Sequence, residues 1–186
     1  MNIGSFGFVL AIIGAVVVIW AIAAYNKMRT LSNRIDNAWS QVDVQLKRRY
    51  DLIPNLVETV KGYAAHEKET FEAVTRARSL GIEAKSVPEQ AQAEGILTQA
   101  LRQIFAVAEA YPELKANQNF LNLQEELSST EGKIAFARQF YNDTVLKFNN
   151  TIQVFPNVLI AGAFGFKPKE YFEIDEDSRG PVKVQF

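Results

Sequence analysis

Five polar side chains fall on or beside the apolar seams of this chain: Arg48, Glu67, Arg138, Asn142 and Asn149. A charge in such a place is either a solvated flank or a partner in a buried pair, because an unpaired buried charge costs several kcal/mol. Glu67 interrupts its seam and Arg138 stands beside the seam residue Ala137, so Glu67 and Arg138 are expected to pair across the helices and fix their register. Catalysis by the same residues would need a located base or nucleophile. The chain has one histidine, His66, and no cysteine, which removes thiolate nucleophiles, zinc–thiolate sites and disulfides. A di-iron carboxylate centre needs Glu-x-x-His pairs on facing helices, and the residue three before His66 is Tyr63. No P-loop, dinucleotide fingerprint or nucleophile elbow occurs. The expectation is a protein that is not an enzyme, with no catalytic residue, no metal ligands and no cofactor.

The elements that position these residues begin with an uncharged stretch, Phe6 to Tyr25. Roughly twenty residues at about 1.5 Å rise cross the bilayer's hydrocarbon core of about 30 Å. Trp20 and Tyr25 belong at the membrane interface, with Lys27 and Arg29 just beyond it. No basic residue precedes the run, so it reads as a retained anchor and not as a cleaved signal peptide. The basic flank that follows places the body in the cytoplasm by the positive-inside rule, the extracytoplasmic side being the alternative. Gly7, Ala11 and Ala15 form a small-residue row that would let two such helices approach closely in the membrane. The partners expected are thus the lipid bilayer and a second copy. A formal net charge of −1 gives no field that would gather nucleic acid.

Beyond the anchor, Leu31, Ile35, Ala38, Trp39, Val42 and Leu46 recur at steps of three and four and predict a helix with one apolar face. Pro54 interrupts it, either as a kink or as a reversal into a second helix from Pro54 to about Leu80; reversal is favoured, since an unbroken rod from Lys27 to Leu80 would measure about 80 Å. Ser86-Val87-Pro88-Glu89 is a capping box that starts a third helix, ending near Tyr111. Phe120 to Phe155 carries about five heptads and forms the longest wall of the core. The sequence therefore predicts an all-α protein: a single N-terminal transmembrane helix (1–26), an antiparallel up-and-down four-helix bundle (27–156), and an apolar segment with an acidic tail (157–186). The apolar segment Val158 to Phe166 either caps the bundle or lies at the membrane surface with Phe164 and Phe166 as wedges and Lys167 at headgroup level. Counting helices out and back favours the membrane side. A strand-like run, Val182 to Phe186, ends the chain.

Taken together, the anchor, NAWSQVDVQLKRRYDLIPNLVETVKGYAAHEKETFEAVTRARS, NLQEELSSTEGKIAFARQFYNDTVLKFNNTIQVFP and FGFKPKEYFE resemble the LemA family over nearly the whole chain. The resemblance implies one N-terminal span followed by an antiparallel helical bundle in a bacterial cell (inner) membrane. It implies no reaction. The function expected is a membrane-anchored helical scaffold or interaction protein that associates with itself. The alternative is an accessory factor acting on another membrane protein, such as a protease or a transporter.

Overall fold

The computed structural model describes residues 3–173, with side chains from Gly7 onward. Among these residues six helices follow one another, α1 (Ile3–Lys61), α2 (Lys68–Glu83), α3 (Val87–Glu109), α4 (Pro112–Lys115), α5 (Gln118–Gln153) and α6 (Asn157–Phe164). Among the described residues there is no strand. The run Val182 to Phe186 and most of the acidic tail lie outside those residues.

Pro54 does not reverse the chain. It sits inside α1, which continues to Lys61 and buries Ile53, Leu56 and Val60. A proline within a helix leaves the carbonyl four residues earlier without its amide donor, here that of Tyr50. Arg78 of α2 supplies the replacement, its Nε donating to the Tyr50 carbonyl at 2.8 Å. The helix therefore passes through the proline without a stranded acceptor. Length agrees: α1 from Lys27 to its end runs about 52 Å and the 36-residue α5 about 54 Å. The reversal comes later, at Gly62 to Glu67, where the amides of Gly62 and Ala64 close the helix on the carbonyls of Glu58 and Val60.

The chain divides into two compact units, at Ala38 and Asn142 and again at Lys169. The first comprises Met1–Ala38 and Asn142–Lys169. Its core holds Met28, Leu31, Ile35, Val145, Phe148 and Ile152, while the apolar residues from Phe8 to Ile19 stand outward, about half exposed or more. Gly7, Ala11 and Ala15 are exposed along the same helix. Asn149 pins the chain after α6, its Nδ2 donating to the Lys169 carbonyl at 2.9 Å and its Oδ1 accepting from the Lys169 amide at 2.8 Å. Tyr25 packs on Phe164 and Phe166 at ring distances of 4.8 and 5.7 Å, which places α6 at the level of Tyr25.

The second unit comprises Trp39–Tyr141 and Glu170–Phe186. Its contacts run in opposite order along α1 and α5: Asn117, just before α5, meets Tyr63, just after α1, then Glu126 meets Arg48, and Tyr141 meets Trp39. On α1 and α2 they run from Lys61 over Phe71 to Tyr50 against Gly81. Ser86 caps α3 as expected, its hydroxyl accepting from the Glu89 amide at 3.4 Å, while the Glu89 carboxylate reaches one residue past the cap to the Lys85 amide at 2.8 Å. Phe172 is buried against Trp39, and Tyr141 donates to the Glu170 carbonyl.

The substitution Arg78→Leu strands the Tyr50 carbonyl and is expected to cost about 1–3 kcal/mol. In a Pro54→Ala background the restored amide satisfies that carbonyl, and the same change should cost less. Urea unfolding of the full chain in mild detergent measures both; equal costs would mean that Arg78 does not replace the bond the proline removes.

Candidate functional site

The second unit buries a polar cluster contributed by three helices. Arg49 of α1 is only 3% exposed, and Glu94 of α3 only 2%. The Arg49 guanidinium donates to Glu94 Oε2 at 2.8 Å and to Thr98 Oγ1 at 2.9 Å, and it lies 3.1 Å from Glu131 of α5. Tyr50 donates through its hydroxyl to the other oxygen of Glu94, and Gln90 Nε2 donates to the Tyr50 oxygen at 2.6 Å. Every partner is positioned by helical spacing. Gln90, Glu94 and Thr98 stand at steps of four on α3 and so share one face. Arg49 and Tyr50 are neighbours on α1 that straddle the core direction.

Close approach has a steric condition. A Cβ on Gly81 of α2 would lie 2.7 Å from the Tyr50 ring carbon that bears the hydroxyl. That hydroxyl is held between Glu94 and Gln90, so the ring has no free direction in which to yield.

Burial pushes the Glu94 carboxyl above its ordinary range, although Arg49 and the Tyr50 hydroxyl both favour the ionised form. Burial, reinforced by the Glu94 carboxylate, raises the Tyr50 phenol as well. Arg138, half-buried beside this cluster, is lowered by burial while Glu131 and Glu94 act in the opposite sense. A phenol held in its protonated form and a carboxylate engaged by three donors offer no activated nucleophile. Among the described residues no group of three or more His, Cys, Asp or Glu is placed to hold a metal. The grooves lined by Lys61 and Arg76, by Val44 and Phe136, and by Leu80 and Ile96 share no residue with the cluster. What the arrangement does is lock three helices in one register.

The pair expected from sequence is not the pair that forms. Glu67 lies at the N-cap of α2, in the connection that follows α1, and the described ion pairs do not include Glu67 with Arg138. The reason is the course of α1: because it runs through Pro54, Glu67 falls beyond the helix and not on a seam. The Arg138 guanidinium instead stacks over the Phe172 ring at 5.5 Å. Arg48, one residue from the buried arginine, makes an exposed pair with Glu126 at 2.6 Å. The signal overlooked was the Gln90-Glu94-Thr98 stripe beside the apolar row of α3. In the first unit Trp20 and Tyr25 are partly exposed, Lys27, Arg29 and Phe164 are exposed, and Phe166 packs on both Tyr25 and Phe148. Lys167 is exposed.

Residues 38–186 match the model of the LemA family. The chain is 27% identical over 175 residues to magnetosome protein MamQ 2 of Paramagnetospirillum magneticum, an alignment covering 80% of this chain and 64% of that one. It is 27% identical over 161 residues to protein LemA of Metamycoplasma hominis, covering 84% and 72%. With magnetosome protein MamQ of Magnetospirillum gryphiswaldense the identity is 25% over 174 residues, covering 80% and 64%. The chain thus spans about 64% of the length of the magnetosome relatives that it matches.

Two expectations follow for the cluster. Replacing Arg49 with Met leaves Glu94 buried without its cation and should destabilise by about 3–5 kcal/mol, whereas adding Glu94→Leu should recover much of that loss. The pH dependence has a definite sign. Glu94 holds its proton more tightly folded than unfolded, so its contribution is full below the ordinary value near 4.5 and is lost as pH rises through the raised folded value. The stability of the native chain relative to Glu94→Gln should therefore fall from acidic to neutral pH. A relative gain on raising the pH would show that the Arg49 pair outweighs burial.

Proposed function

The chain is a member of the LemA family, and from that premise we propose that it is a membrane-anchored helical interaction protein that assembles with copies of itself and carries no catalytic activity. The observation that carries this reading is the outer face of α1 and α5. There Ser40, Gln41, Val44 and Gln45 face Ser129, Gly132, Lys133 and Phe136 across a groove of about 710 Å³. Phe136 is 74% exposed and Val44 61%, and the buried Gln45 Oε1 has no hydrogen-bond partner. An aromatic ring left in water beside an unmet acceptor is what an interface looks like before it closes. Copies inserted in one bilayer with the same orientation present the same residues at the same height. A like-to-like contact about an axis along the bilayer normal is then available, and burying Phe136 would contribute at about 25 cal/mol per Å².

The reversed contact order on α1 with α2 and on α1 with α5 supports an antiparallel up-and-down four-helix bundle as the body of each copy. The outward apolar surface of Phe8 to Ile19 supports a transmembrane anchor in the bacterial inner membrane. Leu159 and Phe164, both about 60% exposed, support contact between α6 and the membrane surface at the level of Tyr25. The basic flank supports a cytoplasmic body.

In lipid nanodiscs the full chain should give a mass of several copies, and Phe136→Ser should lower it while leaving the melting temperature of the helices nearly unchanged. A single copy per disc in the native chain would defeat self-assembly, and assembly only in the company of another membrane protein would favour the accessory role. For sidedness, a cysteine introduced by Lys85→Cys should resist an impermeant thiol reagent in intact cells. Prompt labelling there would put the body outside.

A further inference from the structure

A second groove, of about 730 Å³, runs from Lys61 at the end of α1 along Lys68, Phe71, Glu72, Arg76 and Ser79 of α2. Three of these residues are cations and one is a carboxylate, in a chain whose formal charge is −1. The positive charge is therefore local. Lys68, Glu72 and Arg76 fall at steps of four on one helix, where ion pairs ordinarily form. Yet neither they nor Lys61 enter any ion pair among the described residues. The floor is apolar: Phe71 is buried, with Lys61 Nζ 5.5 Å above its ring. The hydroxyls of Thr75 and Ser79 already donate to the carbonyls of Phe71 and Thr75, which leaves the cations as the donors on the rim.

Spacing selects the ligand. Lys68 and Arg76 are eight residues apart, about 12 Å along α2. A lone phosphate or carboxylate is only a few Å across and meets one of them. An extended peptide advances about 3.3 Å per residue, so two carboxylates four residues apart reach both, and the side chain midway falls in the groove between them. Glu72 between the cations repels a third carboxylate there. We propose that this groove binds an extended acidic segment of a partner protein, with two carboxylates on Lys68 and Arg76 and an apolar side chain between them.

The proposal is independent of self-assembly and is tested on the full chain in nanodiscs of zwitterionic lipid. The probe is a fluorescein-labelled peptide with two glutamates four residues apart, a leucine midway and serines elsewhere, followed by anisotropy. Binding is expected to weaken about tenfold in Lys68→Glu and in Arg76→Glu, to vanish for the same peptide with glutamine at both acidic positions, and to fall with salt. Disc mass and melting temperature should not change in either variant, which separates this outcome from a failure of assembly. Equal binding of the glutamine peptide, indifference to both charge reversals, or displacement by inorganic phosphate at the concentration at which the peptide itself competes would overturn it.

Discussion

Arg49 carries a full charge in the interior of the second unit, with 3% of its surface left to solvent, and the surroundings have to meet that charge where it stands. They do so from two other helices, with Glu94 and Thr98 on α3 and Glu131 on α5. Apolar rows slide past one another at modest cost, since cores tolerate repacking of similar volumes. A guanidinium with fixed hydrogen-bond directions does not slide. Against a well-packed apolar replacement such a pair is often neutral in stability, so its effect here is on register more than on total free energy.

Tyr50 links this side-chain lock to the backbone. Its carbonyl, released by Pro54, is held by Arg78; its hydroxyl is held by Glu94 and Gln90; its ring lies on Gly81. One residue of α1 thus meets α2 and α3 through three kinds of contact. The proline that looks like a break is what frees the acceptor for α2 to dock on. Removing the side chain at 81 is what lets the ring come close enough to be used. The ordering of α2 against α1 therefore depends on the same few atoms that satisfy the buried charge.

With the interior polar groups so largely engaged with one another, the surfaces are left to act. The first unit offers the outward apolar surface of α1 and the exposed α6. The second offers two grooves of different chemistry: one aromatic and nearly uncharged along α1 and α5, one cationic at the end of α1 along α2. The two grooves share no residue, so the proposed self-contact and the proposed peptide contact would not compete for the same side chains.

Sequence alone determined the features whose physics is local. An uncharged run of roughly twenty residues needs no partner to be suited to a bilayer. The cap at Ser86 closes within four residues, and the seam of α5 repeats whatever packs against it. Membership of the LemA family was likewise legible, because it rests on residues in order. The tertiary structure decided the course of the chain at Pro54 and the partners of the buried charges. Whether a proline breaks a helix depends on whether another element can feed the orphaned carbonyl, and Arg78 is 28 residues away. Whether Arg48 or Arg49 is the buried one depends on rotations of about 100° per residue, which decide which face meets α3. Glu67 and Arg138 were plausible by spacing, but spacing fixes only which face of its own helix a residue occupies. Which helix lies opposite is fixed by where the turns fall, and here the turn falls after Lys61, leaving Glu67 in the connection and giving the buried arginine to Glu94.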